Sequence, residues 1–206
     1  MLAAPGMPEL GFATGGVGTT TSVFPPMVFV PSLSVGVANH VALEAGANLS
    51  PDQKWSMAFL GSRSSWAPMQ RESSSVVIDL ELGAGLGRGG RLDGYDVARR
   101  WPTGPVDGLD PTERTAFGGY GGVGVAWRYE FLAAYARARV EVTSATHVPV
   151  TFWPSAIAGV ELDLWHRLRV SAAAGYVGYI NASQNNHGWL YQAAVTVPFK
   201  VGDERS

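Results

Sequence analysis

Residues 131 to 142, FLAAYARARVEV, alternate between two faces. Leu132, Ala134, Ala136, Ala138, Val140 and Val142 share one parity, while Tyr135, Arg137, Arg139 and Glu141 share the other. Successive side chains of a strand point to opposite faces, so the segment reads as a strand with one apolar and one charged face. Two all-β architectures accept it. A soluble barrel would turn the charges to water, and a membrane barrel would turn them inward and leave the apolar face in lipid. Inverting the barrel leaves the pattern unchanged, so the choice rests on other residues.

The same parity extends through most of the chain. Strands are expected at 116–128, 131–143, 148–165, 168–181 and 188–199, and at 75–87, where Val76, Ile78, Leu80, Leu82 and Leu86 oppose Asp79 and Glu81. The N-terminal third adds 9–20, 27–38, 40–49 and 54–61. The count is ten, or eight if 9–20 or 54–61 is irregular. Tight turns at Ala38-Asn39-His40, Trp127 to Glu130 and Trp165 to Arg167 alternate with longer connections, and 62–74 stands out as a dozen residues on the short side. The Gly/Pro-rich segment 88–115 reads as a long loop and 200–206 as a short polar tail. An even-stranded meander with turns at one end and loops at the other is a membrane-barrel arrangement, here in one domain spanning 1–206.

Composition agrees with a sheet protein. Only 16 % of residues are charged, and there are 26 glycines, seven tryptophans, seven tyrosines and no cysteine. The formal charge of −2 argues against a nucleic-acid partner. No apolar run reaches the roughly 18 residues of a membrane helix, and Met1 to Pro5 lacks the basic start of an export signal.

Three features turn the charges inward. Aromatic residues stand near strand ends, as an interfacial girdle requires: Trp127, Phe131, Trp165, Trp189, Tyr191 and Phe199, with Phe152 and Trp153 beside them. Gly118, Gly122 and Gly124 share the charged parity, leaving room for long side chains to cross a lumen and pair. The charges then form an internal network of Asp79, Glu81, Arg137, Arg139 and Glu141, joined by Glu44, Glu161 and Asp163.

The third feature is the last strand, Tyr191-x-Ala193-x-Val195-x-Val197-x-Phe199, apolar at every second position and ending in an aromatic. Here the chain resembles small bacterial outer-membrane β-barrel proteins of the outer-membrane protein A and X type. It departs from them by continuing as KVGDERS. The resemblance implies a closed antiparallel up-and-down transmembrane barrel, location in the bacterial outer membrane, contact with membrane lipid, and reading of the C-terminal strand by the barrel-assembly machinery.

Little in the sequence suggests chemistry. His40 and His166 fall in turns, and His147 and His187 in expected loops. Ser183 with His187 only sketches the Ser–His pair of a lipid-modifying hydrolase. Asp93, Asp96, Asp107 and Asp110 lack the spacing of a calcium loop, and GGYGGVG, residues 118 to 124, has no following helix or lysine to make a phosphate loop. No cofactor and no metal site are expected. Arg99, Arg100 and Trp101 in the long loop are the candidate contact for an extracellular partner. The expected role is structural or surface-interacting, with a lumen plugged by charge. A narrow channel, a carrier of a small apolar ligand and a soluble lipocalin-like barrel are the alternatives.

Overall fold

The computed structural model describes residues 8–19, 28–49, 56–88, 115–145, 148–164, 168–182 and 184–198. Ten strands follow in order: β1 (Pro8–Thr19), β2 (Val28–Ala38), β3 (Val41–Leu49), β4 (Ser56–Gln70), β5 (Ser74–Arg88), β6 (Thr115–Tyr129), β7 (Leu132–Ala145), β8 (Val148–Leu164), β9 (Leu168–Asn181) and β10 (Gln184–Pro198). Each is antiparallel to its neighbours in the chain.

The sheet closes on itself, in the order β1-β10-β9-β8-β7-β6-β5-β4-β3-β2. β1 completes the ring, pairing from Glu9 to Thr19 with β10 and from Pro8 to Gly15 with β2. Continuity of the wall thus rests on one strand. Its sequence, PELGFATGGVGT, is poor in the β-branched and aromatic residues that hold strands together and rich in glycine, which weakens them.

Two boundaries also differ from expectation. β4 runs on to Gln70, so Arg71, Glu72 and Ser73 alone connect it to β5, and the anomalous dozen residues on the short side disappear. Ser62-Arg63-Ser64-Ser65 hid this strand because polar residues fall on both of its faces. Its register then shifts between Trp66 and Met69, at Ala67-Pro68, where a bulge tolerates a proline that cannot donate to the ladder. At the far end β10 begins at Gln184, which puts His187 in a strand instead of a loop.

The short-turn rim is tied together by backbone hydrogen bonds. The Arg71 amide donates to the Ser74 carbonyl, the Glu130 amide to Ser73 (3.0 Å) and the Asp163 amide to Phe131 (2.8 Å). Glu130 has a positive φ of 49°, the left-handed geometry that lets a two-residue turn follow the twist of its strands. His40 donates from Nδ1 to the Ser65 carbonyl at 3.0 Å, a turn-fixing role.

Side-chain direction identifies the outer face of the sheet. Leu60, Leu80, Leu82, Leu86, Phe117, Val123, Val125, Val140, Val160 and Val195 point outward and are exposed, whereas Glu81, Glu141 and Arg169 point inward and are buried. The sheet is apolar outside and polar inside. Outward-facing positions of the described strand interiors carry no charge; Ser62 and Ser64 are among their few polar groups.

Candidate functional site: a charged cluster inside the barrel

The inner wall places four strands' worth of charge in one layer. Arg63 on β4 lies 3.1 Å from Glu44 on β3 and 3.9 Å from Glu81 on β5. Arg137 on β7 approaches the same Glu81 oxygen, at 3.8 Å. Arg139 pairs with Glu141 on its own strand at 2.6 Å. Asp79 accepts a hydrogen bond from the Ser65 hydroxyl across the β4–β5 pair. Glu81, about 5 % exposed, is thus shared by two arginines from opposite sides, the pairing that a buried carboxylate requires.

Glycines make this crowding possible. Tyr120, the one inward residue with a side chain from Gly118 to Gly124, lies across the lumen over Gly61 and Gly83, and a Cβ at either glycine would overlap its phenol. A Cβ at Gly122 would come within 2.6 Å of Glu81 Oε1. The ring of Tyr120 also meets Phe59 edge-on at 6.5 Å.

Nearer the short-turn rim, Arg128 pairs with Glu161 at 2.8 Å, and Asp163 and Arg169 stand directly opposite each other on β8 and β9. On the loop side, Trp153 is buried and donates from Nε1 to the Thr143 hydroxyl at 2.8 Å. This corrects its expected place among interfacial aromatics, because its odd number puts it on the inner face. Among the described residues, four buried atoms, Arg63 Nε, Glu81 Oε1, Arg139 Nε and Glu141 Oε2, have no hydrogen-bond partner, and water commonly satisfies such groups in polar interiors.

All eight charged residues singled out in the sequence, Glu44, Asp79, Glu81, Arg137, Arg139, Glu141, Glu161 and Asp163, lie on inward positions of the described strands. Sequence reasoning missed Arg63, Tyr120, Arg128 and Arg169. Arg63 fell in a segment that did not alternate, Arg128 was read as turn, and Tyr120 was hidden in its glycine run. The signal for Tyr120 was its parity, shared with Gly118, Gly122 and Gly124.

The outer face carries aromatics at two heights. Trp127 and Tyr129 stack at 6.1 Å and 19° near the short-turn rim, with Phe131 and Trp66 also exposed there. Trp189, Tyr191, Tyr176, Phe117 and Phe152 are exposed toward the other end. Trp189 meets Tyr176 edge-on at 6.3 Å, and His187 stacks on the same Tyr176 at 5.4 Å. Phe117 and Trp127 stand about ten residues apart on one face of β6, roughly 33 Å along the strand at ~3.3 Å per residue. At a tilt of about 40° this becomes roughly 25 Å of height, the thickness of the apolar band of an outer-membrane barrel. Trp165, Phe199, Arg99, Arg100, Trp101 and Ser183 lie outside the described residues. Among the described residues no three metal-ligating side chains converge.

Comparison with solved structures finds likenesses at low identity. The N-terminal β-barrel domain of OprF from Pseudomonas aeruginosa is 8 % identical, over 95 % of this chain and 98 % of its own, with a TM-score of 0.42. The outer membrane protease OmpT from Escherichia coli is 6 % identical over 97 % and 99 %, with a TM-score of 0.44. A de novo designed transmembrane β-barrel is 12 % identical over 97 % and 100 %, with a TM-score of 0.42. No protein-family model matches the chain, and comparison with curated proteins gives no match. These likenesses concern fold alone and assign no family, substrate or partner.

Proposed function

We propose that the chain is an integral β-barrel protein of a bacterial outer membrane, with a lumen blocked by its own charged side chains and a structural or surface-interacting, non-enzymatic role. The observation that carries this reading is the inverted distribution of side chains. A continuous apolar exterior this large is costly in water and expected in lipid. The two aromatic levels, about one apolar thickness apart, support the same orientation.

The alternatives fare worse on the same geometry. A soluble lipocalin-like barrel, or a carrier of an apolar ligand, needs an apolar interior, and this one is lined by Arg63, Asp79, Glu81, Arg137, Arg139 and Glu141. A narrow channel would need a continuous gap where Tyr120 and the Glu81 pairs cross the lumen. Recognition of the C-terminal strand by the assembly machinery, and a partner for segment 88–115, belong to this proposal as well.

The test is expression behind an export signal, followed by fractionation and electrophoresis of boiled and unboiled samples. Recovery in outer membranes with a mobility shift on boiling is expected. Recovery in the soluble fraction without detergent would overturn the reading.

A further inference from the structure

Between the Arg63–Glu81 layer and the short-turn rim the inner wall leaves a cavity of about 70 Å³, lined by side chains of both charge signs. It exists because the inward residues there include Gly124, Ala126 and Ala133, which are too small to fill the space below the charge layer. Two rows of register partners frame it. In the upper row Asp79 and Arg137 flank Gly124, and in the lower row Arg128 and Glu161 flank Ala133. The charge order reverses between the rows, so acid and base alternate around the cavity.

The groups lining the cavity keep unused hydrogen-bonding capacity. Among the described residues Arg137 has one anionic partner, Glu81, at 3.8 Å, a long contact for a guanidinium with five N–H donors. Arg63 reaches the same cavity, and its Nε is buried without a partner. On the acidic side, Asp79 receives the Ser65 hydroxyl on Oδ1 and Glu161 receives Arg128 on Oε1, which leaves a second oxygen on each. A simple anion at Arg137 would be repelled by Asp79 and Glu161, and a simple cation at the carboxylates by Arg63, Arg128 and Arg137. A ligand carrying both charges a few ångströms apart meets neither penalty.

We propose that this cavity binds a small zwitterion of the amino-acid type, its carboxylate directed to Arg137 and Arg63 and its ammonium to Asp79 and Glu161. The site rests on the barrel reading above, because it requires the inner wall to face an aqueous lumen. It is a dead end in the lumen, since Tyr120 and the Glu81 pairs lie beyond it.

The experiment uses the full chain refolded in detergent and labelled with 15N at the arginine side chains. The Nε–H signals of Arg63 and Arg137 are followed while glycine, acetate or methylammonium is added at constant ionic strength. Glycine should shift both signals saturably, with at least tenfold higher affinity than either half-molecule. Arg137→Met and Glu161→Gln should each lose that preference, and Arg137→Lys should restore part of it. Acetate or methylammonium binding as well as glycine would overturn the proposal in favour of a simple ion site, and no saturable shift would overturn it in favour of a water-filled cavity. Heat-modifiability of each sample reads the fold separately. A protein that keeps its barrel yet ignores glycine rejects the zwitterion site alone, whereas one with no detergent-stable barrel rejects the parent reading.

Discussion

The guanidinium of Arg139 lies over the ring of Tyr120, 3.8 Å from its centroid. The two residues come from adjacent strands, and Tyr120 in turn lies over the bare backbone of Gly61 and Gly83. Cation, ring and glycines form one stack through the lumen, held by cation–π attraction on one side and close approach on the other.

The stack makes Gly83 intolerant of any side chain. Gly83→Val should destabilise the folded barrel by about 2 kcal/mol or more, the range expected for overpacking. Combining it with Tyr120→Ala should recover part of that loss. Urea unfolding of both variants in lipid vesicles checks this, and strict additivity would show that the two positions do not meet.

Glu81 holds two arginines, so its removal leaves Arg63 and Arg137 facing each other with less compensation. Glu81→Ala should cost about 3 kcal/mol, as for breaking a buried pair. Glu81→Gln should cost less, because the amide oxygen still accepts a hydrogen bond. Unfolding midpoints of the two variants in detergent would reveal the order, and equal midpoints would argue that the lumen is wet enough to screen the charges.

On the outside the sign of the effect reverses. Leu82, about 67 % exposed in the isolated protein, faces out near mid-height. Leu82→Arg should destabilise the protein in a bilayer by about 2–4 kcal/mol. In a water-soluble barrel the same change would be nearly neutral or would improve solubility, so unfolding in vesicles separates the two orientations.

Conductance tests the plug directly. With Arg63, Arg137, Arg139 and Tyr120 across the lumen, the wild-type chain should show negligible current in planar bilayers. A steady open state would sink the blocked-lumen proposal and favour the narrow channel.

Strand positions were legible wherever the two faces differed in polarity. In β7 every second residue changes character, and its register with β6 and β8 follows from that alone. In β4 Ser62 to Ser65 offers no contrast, so neither its length nor Arg63 could be read. The inward acids were legible because an ionised side chain on an otherwise apolar strand announces its face. Tyr120 was not, since a lone aromatic among glycines has no contrast of charge. Nor could periodicity alone fix the seam of the sheet, which lies where the glycine-rich β1 pairs with β10.

The position of β1 also has a kinetic consequence. Each pairing from β2 to β10 joins neighbours in the chain, whereas Glu9 pairs with Pro198, nearly the whole length away. Local hairpins zip early, and a contact of such long range bears the largest loop-closure entropy. Until it forms, β1 and β10 present bare amides and carbonyls to any passing strand. The hazardous interval in this protein's life is therefore its last step of assembly, and a helper that shields those edges would shorten it.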